Sequence, residues 1–181
     1  MRNAKLALSE TKLYICHGAI SVMEREVEMR SVAETGGIFV GYKAERSVVV
    51  THATGPGPNA KHSLFNFERD VAFCNEELER LFYISNRALG YIGEWHTHPF
   101  GFLSPSGPDD KAMFGISRSR GYRNKEPILM IAKRKLKGEG LAARCFLYSG
   151  KARAEIEYSV CGDIKFDTNY REGEEHDERS K

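Results

Sequence analysis

The sequence has little cysteine, no long apolar run and almost no net charge. Its four cysteines, Cys16, Cys74, Cys145 and Cys161, lie far apart and form no C-x-x-C pair. That spacing argues against a disulfide scaffold and against a cysteine-bound metal, and it fits thiols kept reduced in a cytoplasm. No apolar stretch approaches the length needed to cross a bilayer. The N-terminus, MRNAKLALSETKLY, lacks an apolar core followed by a small-residue cleavage site, so no signal peptide is expected. The formal charge of +2 is too small to imply a membrane or nucleic-acid partner by itself. Two short basic runs, residues 117–125 and 133–137, read as solvated loops and strand ends rather than as a nucleic-acid surface. Internal repeats are absent too.

What is present fits one domain: 181 residues, of which 41% are hydrophobic and 29% charged. Apolar periodicity predicts helices over 18–33, 67–87 and from Pro108 to about Ser117. Strands are expected over 12–17, 38–42, 47–54, 91–97, 128–133, 142–148 and 154–160, the last two forming a hairpin around Ser149-Gly150. Residues 55–63, with two Gly-Pro steps, are expected to be an irregular loop. The tail from Asp167 is mostly charged, which puts the domain at 1–166 and a frayed end at 167–181. The order of elements implies an α/β domain with a mixed β-sheet flanked by helices.

The chemistry concentrates in residues 93–110, GEWHTHPFGFLSPSGPDD. His96 and His98 are two apart on a predicted strand, so both imidazoles face the same side. Their α-carbons would stand roughly 6.6 Å apart, close enough for both rings to reach one metal. Asp109, at the start of the next helix, can supply a third ligand. Two histidines and a carboxylate with an open fourth position suit a catalytic zinc, which can bring the pKa of a water down to about 7. Glu34 is the candidate base, because it sits just before Gly36 and Gly37, which permit close approach to a metal. Ser106 is the candidate oxyanion donor; Ser106-Gly-Pro-Asp109 is at the same time a good helix cap, and the cap reading is compatible with Asp109 as a ligand.

The strings E-T-G-G-I-F-V-G at 34–41, H-T-H-P at 96–99 and S-G-P-D at 106–109 resemble the motif of JAMM (MPN+) metalloproteases. The resemblance implies a cytidine-deaminase-like fold, zinc on His96, His98 and Asp109, Glu34 as general base and Ser106 as transition-state stabiliser. It implies hydrolysis of an isopeptide or peptide bond after the C-terminal residue of a ubiquitin-like protein or other conjugated protein. T-G-P-G-P-N-A at 54–60, Phe67 with Asp70, and G-E-W-H-T-H-P at 93–99 resemble the prokaryotic branch, the deconjugating peptidases encoded with E1/E2-like partners in CBASS or Bil antiviral operons. An extended substrate tail is expected in a narrow channel walled by Trp95, Phe100 and Phe102, with His62 along its path. The main alternative is an MPN-type scaffold without catalysis, which retention of every ligand argues against. A cytidine deaminase would need a P-C-x-x-C pair, and none is present.

Overall fold

The computed structural model describes residues 10–135, 140–164 and 166; the tail at 167–181 and part of the second basic run lie outside them. Strand β1 (Lys12–Cys16) leads directly into helix α1 (His17–Met29), followed by β2 (Gly36–Ala44) and β3 (Ser47–Ala53). A short hairpin, β4 (Lys61–His62) and β5 (Phe67–Glu68), precedes α2 (Val71–Ile84). Then come β6 (Gly90–Thr97), α3 (Gly107–Arg118), β7 (Ile128–Arg134), β8 (Leu141–Ser149), β9 (Ala152–Ile156) and β10 (Tyr158–Cys161).

Eight strands make one mixed sheet in the order β10-β1-β3-β2-β6-β7-β8-β9. Alternation along each strand feeds two cores. On one face α1 contributes Ala19 and Met23 to a cluster with Ile15, Phe39, Val50, Trp95 and Met130. On the other, α3 packs Met113 and Ile116 on Leu129, Ile131 and Phe146, and α2 packs Cys74 and Leu81 on Ile38 and Val40. The result is a sheet between helices, as the sequence implied.

Four expectations need correction. Helix α1 stops at Met29, which is exposed along with Val32, so the apolar spacing over-extended it. The segment 55–63 is not wholly irregular: Ser63 turns the chain by donating its amide (2.9 Å) and hydroxyl (2.9 Å) to the Asn66 carbonyl, which closes the β4–β5 hairpin. Helix α2 starts at Val71 rather than Phe67, because Asp70 caps it by accepting the Phe73 amide at 3.2 Å. The strand expected at 154–160 is two strands. β9 pairs with β8 at one end of the sheet and β10 pairs in parallel with β1 at the other, with only Glu157 between them. The sheet therefore curls until its two ends are joined by the chain.

A bulge sets up the site. In the β2–β6 ladder Phe39 faces Gly93 but Val40 faces Tyr91, leaving Ile92 as an extra residue. The bulge resets the alternation, so Ile92 and Trp95 both join the α1 face. Glu94, His96 and His98 border the cavity on the opposite face. A one-residue change of register would have turned the histidines into the core.

Candidate metal centre

His96 ends β6 at its penultimate position, paired with Gly36 on one side and Ile131 on the other. His98 lies just past the strand, yet its amide still bonds the Ala132 carbonyl at 2.9 Å, which prolongs the ladder. The two Nε2 atoms are 3.0 Å apart. Asp109 closes the triangle, with Oδ1 3.3 Å from His96 Nε2 and Oδ2 3.6 Å from His98 Nε2. Ligand bonds of about 2.0–2.1 Å in a tetrahedron place neighbouring donor atoms about 3.4 Å apart. The nitrogen–nitrogen distance and the two contacts from the carboxylate's oxygens lie around that value, so the residues fit a single metal ion, and these three form the one such cluster among the described residues.

Two of the three residues, His98 and Asp109, are oriented by further bonds. His98 Nδ1 donates to the Phe102 carbonyl at 3.0 Å, which leaves Nε2 with its lone pair free for a metal. Asp109 sits in a capping box: its Oδ2 accepts from the Ser106 amide (2.7 Å) and hydroxyl (2.6 Å), and its own amide donates back to Ser106 Oγ at 3.3 Å. The next residue anchors the helix to the sheet, with Asp110 Oδ1 accepting from Tyr148 Oη and Arg153, each at 2.6 Å. Burial pushes the Asp109 carboxyl upward, but hydrogen bonds from His96 and His98, the charge of His96 and the Ser106 bond outweigh it and hold it below the usual carboxylate range. His98 is raised by its bond to Asp109, against the opposing effect of burial.

Glu34 precedes β2 and borders the same cavity as the triad. Burial raises its proton affinity and Asp109 adds to this, while His96 and His98 pull the other way. The neighbouring residue ties the Glu34 segment to β6. Thr35 donates its amide to Thr97 Oγ1 at 2.9 Å, and the Thr97 amide returns to the Thr35 carbonyl at 2.8 Å. Thr97 is a positioning residue that motif reasoning passed over, although it stands between the two histidines. Behind it the Thr35 hydroxyl is buried without a partner among the described residues.

The cavity is about 760 Å³ and runs between the hairpin, residues 64–69, and the loop 98–101. Of the three expected wall residues and His62, expected along the path, Phe100 borders the cavity and is exposed. Trp95 does not wall it with its side chain: alternation turns the indole into the core, where Nε1 donates to the Thr54 carbonyl at 3.0 Å and 1% of the residue is exposed. Phe102 serves through its carbonyl while its ring points to solvent. The His62 ring bonds the Glu34 carbonyl instead of lining the path. Phe65, exposed at the hairpin turn, faces the cleft from the other side and was not anticipated. An apolar Leu64-Phe65 pair inside a polar turn was the signal for it.

Comparison with known proteins agrees with this geometry. Residues 18–145 match the family described as prokaryotic homologs of the JAB domain. A probable metalloprotease of Sinorhizobium fredii is 30% identical over 121 residues, covering 66% of this chain and 74% of that protein. A protein of Enterobacter hormaechei named CD-NTase/cGAS isopeptidase is 33% identical over 128 residues, covering 68% of this chain and 69% of its own. The fold is shared with a protein of Desulfitobacterium hafniense solved in solution, at a TM-score of 0.66 and 13% identity over 88% of this chain and 99% of that one. Family match and His-His-Asp cluster together make this chain a prokaryotic JAB-domain protein, a hydrolase of the JAMM metalloprotease type.

Proposed function

We propose that this protein is a zinc-dependent isopeptidase of bacterial antiviral defence, cleaving after the C-terminal residue of a conjugated protein. The observation that carries this reading is one cavity where two histidine nitrogens and the Asp109 carboxylate converge at contacts of 3.0–3.6 Å, beside a half-buried carboxylate, Glu34, that is not one of them. The donor set, two nitrogens and one oxygen, suits zinc with an open position. Relatives named CD-NTase/cGAS isopeptidase favour a CD-NTase as the protein whose C-terminal carboxyl is released, in a CBASS setting. A ubiquitin-like modifier made by E1/E2-like partners is the second substrate class, carried by the sequence motifs.

Zinc, when bound, would supply a Lewis acid for the scissile carbonyl and acidify the attacking water. Glu34 would take the proton from that water and pass it to the leaving lysine amine, a transfer suited to a carboxylate whose proton affinity is raised by burial. An extended tail would lie between the hairpin and Phe100, with the open side of β5 offering a strand edge to pair with. The cleft's polar lining, Arg69 paired with Glu94 at 2.8 Å, stands beside that path.

Ser106 is asked to do two things. Its hydroxyl donates to Asp109, so acting as oxyanion donor requires it to swing to the substrate carbonyl. Ser106→Ala is expected to lower turnover about 100- to 1000-fold while metal affinity changes far less. A parallel fall in metal affinity, measured by competition with a chromophoric chelator, would assign the hydroxyl to holding Asp109 alone.

The test of the function is direct. Purified protein is assayed for zinc and incubated with a CD-NTase joined through its C-terminus to a target lysine, beside a ubiquitin-like conjugate. One zinc per chain, with chelator-sensitive cleavage after the terminal residue of one of them, establishes the reading and names the substrate class. A folded protein that takes up no zinc and cleaves neither supports the scaffold alternative.

A further inference from the structure

The hairpin that borders the cleft also grips the base. Glu34 belongs to no helix or strand, and its backbone is fixed from the hairpin side by two bonds. Its amide donates to the Ser63 carbonyl at 2.8 Å, and its carbonyl lies 2.8 Å from His62 Nδ1. A carbonyl only accepts, so the proton is on Nδ1 of His62. The His62 ring rests against Phe67 on β5, with centroids 5.4 Å apart, and Phe67 borders the cavity. One residue on, Thr35 is tied to Thr97 between the metal-ligating histidines. Glu34 is thus suspended between the hairpin and the metal strand.

The two supports differ in firmness. β6 is an interior strand of the eight-stranded sheet, whereas the hairpin has two paired residues per strand and stands alone as a two-stranded sheet. Ladders that short are marginal unless something packs on them. Its turn carries the exposed Leu64 and Phe65. Whatever fills the cleft along β5 therefore bears on the hairpin, and through His62 on the base.

We infer that His62 is a positioning residue for Glu34, transmitting the state of the substrate-side hairpin to the catalytic carboxylate. The inference rests on the isopeptidase reading for its kinetic consequence and on geometry for the clamp itself. Three variants separate the contributions. His62→Phe keeps the ring against Phe67 and removes the donor. His62→Ala removes both. His62→Asn returns an N–H near the position of Nδ1.

With a substrate that the wild type cleaves, His62→Phe and His62→Ala are expected to lower kcat roughly 10- to 100-fold, the scale of a small misplacement of a catalytic group. KM and bound zinc should stay within about twofold, and His62→Asn should recover most of the rate. A kcat for His62→Phe within twofold of wild type overturns the inference, as does a rise in KM alone, which would make His62 a substrate contact. A second readout does not depend on turnover. Amide exchange at Glu34 should quicken about tenfold or more in His62→Phe, and the wild-type ring should give the nitrogen shifts of a protonated Nδ1. Unchanged exchange overturns the clamp even if the protein cleaves. Faster exchange without wild-type cleavage would keep the clamp and reject the isopeptidase reading.

Discussion

Glu34→Gln is expected to abolish most turnover, by about 100- to 10,000-fold, while leaving the metal site and the fold intact. The substitution keeps the side chain's size and both backbone bonds to the hairpin, and removes only the capacity to take a proton. Glu34 is not one of the three clustered ligand residues, so metal content should match wild type. Its effect on stability has an unusual sign. Burial raises the Glu34 pKa in the folded chain above its ordinary value. Keeping the proton on Glu34 therefore favours the fold below the ordinary glutamate pKa, and that contribution is lost as pH rises through the raised value. At neutral pH the charge works against folding. In the metal-free protein Glu34→Gln should melt at the same temperature as wild type or somewhat higher, an inactive variant that is no less stable. Single-turnover cleavage and thermal melts at pH 7 check both halves. Near wild-type cleavage by Glu34→Gln would remove Glu34 from the role of base.

Much of this site could be read from residue order because strand alternation is a strong constraint. H-x-H on a strand converges two rings whatever the rest of the fold does. The same alternation turns Trp95 away from its histidine neighbours, and the expectation that it walls the channel came from its place in the motif rather than from its parity. The Asp70 cap was equally local, a carboxylate three residues before an amide it could accept from, and the expected helix start at Phe67 passed over it. What could not be read locally depends on partners far away in sequence. The bulge at Ile92 is seen only in the pairing of β6 with β2. His62 meets Glu34 across 28 positions. The break at Glu157 exists because β8 and β1, at opposite ends of the sheet, each need a partner. In such cases a run of residues with strand character is compatible with several pairings, and packing decides among them.

Gly36→Ala is expected to damage the fold and the metal site together. Gly36 has no left-handed backbone to protect, so its constraint is one of space. A β-carbon there would lie 2.2 Å from the Trp95 carbonyl oxygen, 2.8 Å from His96 Cβ and 2.9 Å from His96 Cα. Two of these atoms are backbone, and all belong to the strand that presents the ligands, so nothing flexible can yield. The β2–β6 pair must part at the register position where Gly36 faces His96. Parting it moves His96 away from Asp109 and strains the Thr35–Thr97 bonds that set the base. Overpacking typically costs about 1–3 kcal/mol, and a backbone clash inside a ladder belongs at the upper end. Zinc affinity should fall at least about tenfold, the scale on which altered ligand support acts in metal sites. Gly90→Ala, at the start of the same strand, is the control, because a β-carbon there meets nothing within 4 Å. Titration of both variants against a competing chelator, with thermal melts alongside, reads the two effects separately. If Gly36→Ala binds zinc like Gly90→Ala and melts with it, the two strands need not approach so closely, and the glycine pair after Glu34 owes its place to something other than the metal.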